Sequence, residues 1–165
     1  MIGILSKLEV NCLHNDINFS KDYVLQIRNC IKNKDYRALM DNGGFELYLL
    51  PRWQNFVYSL PKTSKYMFLE YLNDIDKRKI IADVIENCIV PSNLLDQLFI
   101  IDNFFQEKTI ETNVCICGEN DLTDIYPKSN FWYYYRIPKE HIEYWKSDIE
   151  WLNQIAKIRG TSLFL

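Results

Sequence analysis

The sequence predicts an α+β fold: one mainly helical domain over residues 1–165, with a small antiparallel β element before a long C-terminal helix. Three observations predict it. Apolar residues recur three and four apart through the first two-thirds of the chain. β-branched and aromatic residues crowd two short runs after Glu107, and helical spacing returns after Pro138. At 165 residues the chain has the size of an ordinary domain and can bury a core without disulfide or metal.

The elements follow in order. Residues 1–19 mix a short apolar pattern (Ile2, Ile4, Leu5, Leu8, Val10) with a polar stretch at Asn15–Asn18 and fix no single structure. Ser20 reads as an N-cap with Asp22 in the first turn, so Tyr23, Val24, Ile27 and Ile31 predict a helix over Lys21–Asn33. A second short helix, Asp35–Asn42, is expected to stop at Gly43. Pro51 opens a third, whose Trp53, Phe56, Val57 and Leu60 form one stripe until Pro61. Tyr66–Leu72 and Ile80–Ile89 predict two further helices, with a junction at Asp74–Lys79 and Asp76 as the cap of the second. Pro91 and Ser92 then introduce a helix ending near Gln106.

Thr109–Cys117 and Phe131–Ile137 predict strands, separated by turn material at Gly118–Asp124. The last helix is expected from about Pro138 to Arg159, stopped by Gly160. Ile142, Trp145, Ile149, Leu152 and Ala156 make one stripe and Tyr144, Trp151, Ile155 and Ile158 a second, so this helix is either packed on two sides or keeps one side for a partner, such as a further copy of the chain. No repeat or linker divides the sequence.

Composition narrows the function classes. A 48% hydrophobic fraction excludes disorder, and a net charge of −3 with 22 acidic residues argues against a nucleic-acid binder. No apolar run approaches the roughly 18 residues of a membrane span, and Met1–Val10 carries Lys7 and Glu9. The expectation is a cytoplasmic domain with no membrane contact. Five cysteines at irregular spacings (Cys12, Cys30, Cys88, Cys115 and Cys117) read as reduced thiols.

Catalytic signals are weak. Cys115-Ile116-Cys117 could serve a soft metal or a redox pair, but structural zinc wants four ligands and the only histidines, His14 and His141, stand alone. His141-Ile142-Glu143 lacks the downstream cysteines of a zinc deaminase. Asp74 and Asp76 beside Lys77, Arg78 and Lys79 faintly suit a hydrolase or nuclease, whose metal chemistry needs further carboxylates. No triad or phosphate-cradling glycine loop is present. The sequence predicts no catalytic residue, no metal and no cofactor.

Charge is unevenly spread. Between Asp96 and Asp124 seven acids face one base, Lys108, for a net charge of −6; the rest of the chain is left at +3. Such a field accelerates encounter with a basic partner. Beside it lies Phe131-Trp132-Tyr133-Tyr134-Tyr135-Arg136, which as a strand would turn Trp132, Tyr134 and Arg136 to one face. Trp, Tyr and Arg are the residue types enriched in binding hot spots. The predicted contact surface is therefore Glu119, Asp121, Asp124, Trp132, Tyr134 and Arg136.

With its size and acidity, and with Phe131-Trp132-Tyr133-Tyr134-Tyr135-Arg136-Ile137-Pro138-Lys139, the chain resembles the immunity proteins of bacterial interbacterial toxin systems, including contact-dependent growth inhibition. The resemblance implies a non-enzymatic protein that binds a cognate, basic toxin domain and blocks its active site or a required cofactor surface. It assigns no role to any single residue. The competing expectations are a hydrolase or nuclease around Asp74 and Asp76, and an adaptor that dimerises through the C-terminal helix.

Overall fold

The computed structural model of the protein describes residues 19–60, 63–117 and 125–165. Its fold is mainly helical, with a two-stranded antiparallel sheet and a C-terminal helix, as the sequence predicts. Two compact units emerge, one of Met1–Ser59 with Ile80–Ile101, the other of Leu60–Lys79 with Asp102–Leu165. No linker marks the division in the sequence because both later crossings fall inside helices.

In the first unit, α1 (Lys21–Lys32) starts where the Ser20 hydroxyl accepts from the Tyr23 amide at 3.2 Å. Asp35 caps α2 (Tyr36–Asp41) in the same way, accepting from Ala38 N at 3.0 Å. Gly43 follows at φ +69°, a left-handed conformation that costs glycine little. A π-helical turn, Phe45–Leu49, leads into α3 (Leu50–Tyr58), with Pro51 in its first turn. Ile27, Leu39, Phe45, Trp53, Val57, Ile81 and Val84 are buried and form this unit's core.

α4 runs unbroken from Phe68 to Asn87, and α5 from Ser92 to Lys108. The junction expected at Asp74–Lys79 is absent, and Asp76 lies inside the helix rather than at a cap. The reason is Arg78. Buried Tyr71, Ile75, Arg78, Ile81 and Val84 keep a spacing of three or four, so a charged residue occupies a position that an apolar pattern leaves blank.

In the second unit β1 (Thr109–Glu111) pairs antiparallel with β2 (Arg136–Pro138), in the register Thr109↔Pro138, Ile110↔Ile137, Glu111↔Arg136. Both strands are shorter than predicted. Beyond Glu111 the chain meets a different partner at each step: Thr112 N donates to Tyr135 O, Asn113 N to Leu163 O and Ile116 N to Tyr134 O, each at 2.8 Å. Phe131–Ile137 is not one strand, because Trp132–Tyr135 forms a 3-10 turn before β2. The last helix also starts late. Lys139–His141 makes a 3-10 turn, and α6 spans Lys146–Ile158, followed by Gly160 at φ +73°. Tyr71, Ile75, Phe105, Val114, Ile116, Tyr133, Tyr135, Ile137 and Leu152 are the core here. No helix among the described residues is long and apolar enough to cross a membrane.

Gly44 marks the tightest approach. A Cβ there would lie 2.8 Å from Leu39 Cγ and 2.9 Å from both Ile27 Cδ1 and the Leu39 carbonyl oxygen. Gly44→Ala is therefore expected to destabilise by about 1–3 kcal/mol, the range for overpacking a filled core. Urea unfolding of the two chains measures it, and an unchanged midpoint contradicts this packing.

Candidate functional site

The predicted contact residues do not share one surface. Glu119, Asp121 and Asp124 lie outside the described residues. Tyr134 is buried, and its hydroxyl donates to Asp76 Oδ1 at 2.7 Å. Burial and the neighbouring carboxylate push that phenol's pKa well up. Arg136 is spent on its own sheet: Nε donates to Thr109 Oγ1 at 2.7 Å, and Nη2 to the carbonyls of Gln106 and Thr109 at 3.0 and 3.2 Å. Its Nη1 also lies 3.7 Å from Glu111 Oε2.

The alternation of a strand put Trp132, Tyr134 and Arg136 on one face, but the 3-10 turn abolishes it. Tyr133, Tyr134 and Tyr135 are all buried, while Trp132, like Phe131 and Arg136, stays half-buried. Trp132 and Tyr133 sit over the Arg78 guanidinium, at 5.8 and 5.4 Å from the ring centroids. That guanidinium holds Asp102 with Nε at 3.0 and 3.1 Å from the two carboxylate oxygens and Nη2 at 2.9 Å from Oδ2. The aromatic run is thus a lid on a buried ion pair.

The carboxylates of the hydrolase alternative do not converge either. They are two positions apart on α4, so their side chains leave the helix in nearly opposite directions. Asp74 accepts from Tyr66 Oη at 2.7 Å and pairs with Lys77, while Asp76 meets Tyr134. No group of three or more His, Cys, Asp or Glu able to hold a metal ion occurs among the described residues. The neighbouring Cys117 thiol lowers the Cys115 pKa, while Cys115 and burial raise that of Cys117.

The acidic tract is divided by these contacts. Asp102 is buried with Arg78, and Glu111 is paired with Lys128 and Arg136. Asp96 and Glu107 remain exposed. Asp96 has unusual neighbours. Leu94, Leu98 and Ile101 bury the inner side of α5, yet on the outer side Phe99 is 65% exposed and Ile100 45%, with Leu95 beside them. Positions 95, 96, 99 and 100 form one continuous patch of helix surface. The sequence pattern Leu94, Leu95, Leu98, Ile101, Asp102 and Phe105 predicts the helix without singling out this face. Its signal was the apolar Leu95, Phe99 and Ile100 running parallel to the inner stripe.

On α6 the two predicted stripes separate. Ile149, Leu152, Ile155 and Ala156 are buried, whereas Trp151, Ile158 and the preceding Tyr144 are exposed. Ile155, expected on the second stripe, belongs to the core.

No protein family, curated protein or solved structure matches this chain.

The Arg78–Asp102 pair gives a sharp stability test. Arg78→Ala is expected to cost about 3–5 kcal/mol, because it strands a buried carboxylate; a double Arg78→Met, Asp102→Leu variant is expected to recover most of that. Chemical denaturation decides it, and a single variant as stable as the parent contradicts the buried pair.

Proposed function

We propose that this chain is a non-enzymatic, immunity-type inhibitor that binds and neutralises a cognate basic toxin domain. One observation carries the reading: the tract with the concentrated negative charge begins on the outer face of α5, where Asp96 sits among solvent-facing Leu95, Phe99 and Ile100. Apolar anchors beside a carboxylate suit a protein partner, since large buried side chains supply affinity and the charge steers encounter. The contact face proposed is thus the outer side of α5, instead of the strand face of Trp132, Tyr134 and Arg136; Glu119, Asp121 and Asp124 belong to the acidic tract by sequence alone. Cytoplasmic residence follows from this reading as part of the proposal.

The test first isolates from the native host a basic protein that co-purifies with this chain and then measures its binding; the absence of any such protein removes the reading. Phe99→Ala is expected to speed dissociation tenfold or more, about 1.4 kcal/mol. Asp96→Lys is expected to slow association severalfold and flatten its salt dependence. Asp74→Asn with Asp76→Asn should leave protection of toxin-expressing cells intact. Binding untouched by both α5 substitutions removes the proposed face, and a hydrolytic activity lost with Asp76→Ala replaces the inhibitor reading with an enzyme.

A second reading, a dimeric adaptor, draws on Tyr144, Trp151 and Ile158, which are exposed at intervals of seven along one line. A homodimer that Trp151→Asp converts to monomer in sedimentation velocity supports it, and a monomer at high concentration ends it.

A further inference from the structure

A cleft of about 240 Å³ lies in the second unit, between the end of α5 and the turn after β2. The strand register Thr109↔Pro138 holds its two sides together, and Lys139 Nζ donates to the Glu107 carbonyl at 2.9 Å across it. At its wall His141 is 1% exposed. Tyr66, Tyr144 and Trp145 surround the ring at centroid distances of 5.6, 5.8 and 4.6 Å. Yet neither Nδ1 nor Nε2 meets a hydrogen-bond partner among the described residues. Roughly nine in ten buried polar groups do, so this ring is an exception that asks for a ligand or water.

Burial lowers the His141 pKa. Glu140 and the Thr63 carbonyl pull the other way, the latter without reaching hydrogen-bond geometry. The ring is then neutral at pH 7 and offers one N–H and one bare nitrogen.

The remaining walls are balanced in charge. The lining includes two lysines, Lys139 and Lys108 (the latter's Nζ 4.6 Å from the Phe104 ring centroid), two glutamates, Glu107 and Glu140, and the apolar Leu60 and Pro138. A simple anion would meet the glutamates and a simple cation the lysines. A molecule carrying both charges meets a partner for each. The volume falls below the roughly 300 Å³ at which drug-sized pockets begin, which limits the occupant to a few heavy atoms beyond its charged groups.

We infer that this cleft binds a zwitterion of amino-acid size. Its carboxylate faces Lys108, Lys139 and the His141 N–H, its ammonium faces Glu107 and Glu140, and a short aliphatic group rests on Leu60 and Pro138. The inference is independent of the inhibitor reading, because it uses none of the α5 outer face.

Imidazole ¹⁵N NMR of the full chain tests it, with His14→Gln assigning the second histidine. L-Valine is the probe; acetate, methylammonium and sodium chloride are titrated at matched ionic strength. The His141 signals are expected to move along a saturating curve with L-valine, and at least tenfold more weakly with acetate or methylammonium. Lys139→Gln, checked for an intact fold by circular dichroism, should weaken the L-valine response at least fivefold. A response equal to that of sodium chloride, an equal response to acetate, or an L-valine curve unchanged by Lys139→Gln overturns the inference.

Discussion

Withdrawing Arg78 and Asp102 from water costs several kcal/mol for each ion, and attraction offsets that only where geometry is close to ideal. Here Nε and Nη2 reach both carboxylate oxygens within 3.1 Å. Trp132 and Tyr133 then close over the guanidinium, whose flat face suits an aromatic ring better than a lysine ammonium would. α4 holds the same segment at two more points, through Asp76 to the Tyr134 hydroxyl and through the Tyr71 hydroxyl to the Arg136 carbonyl at 2.8 Å. The run Trp132–Arg136 is therefore shaped by what it must cover. Tyr134 and Tyr135 turn inward because polar partners inside the unit wait for their hydroxyls and carbonyls, and Tyr133 because its ring covers the Arg78 guanidinium.

This interaction also explains where the sequence could be read and where it could not. Ser20 and Asp35 act through side chains on amides three residues further on, and Gly43 and Gly160 through their own backbone, so their caps and stops are visible locally and the helix ends near them fall within a few residues of expectation. Arg78 acts through a residue twenty-four positions away. Without Asp102 in view, it looks like part of a solvated charge run, and the helix appears to break there. The aromatic run misleads for a related reason. β propensity describes fit to a half-buried pleated surface, and this run answers instead to α4 and to the Thr112 and Ile116 amides, which donate to the Tyr135 and Tyr134 carbonyls.

Charge patterning shows the same limit at the level of function. Seven acids in one tract are legible as an excess, but the count does not reveal which of them face a partner. Burial takes Asp102 and a two-way ion pair takes Glu111, so the tract's potential rests on fewer groups than the sequence suggests. The outer face of α5 was legible in principle, since Leu95, Phe99 and Ile100 cannot all join the inner stripe of Leu94, Leu98 and Ile101. Reading it required asking which apolar residues a helix leaves over once its core face is filled.

Binding energy and charge are best assigned to different atoms of such a protein. An exposed carboxylate such as Asp96 contributes little to a complex as a surface ion pair, for which about 0–1 kcal/mol is usual. Its value lies in range: a charge acts over a Debye length of about 8 Å in physiological salt, before contact is made. An exposed phenylalanine contributes nothing until it is buried, and then about 2 kcal/mol or more. On the proposed inhibitor reading, a face that sets the first beside the second would gather an oppositely charged partner and then hold it. The carboxylates at Asp74 and Asp76 have the contrary arrangement. Each is already engaged by a tyrosine hydroxyl, each lies on a different side of α4, and their charge serves to place side chains of this chain.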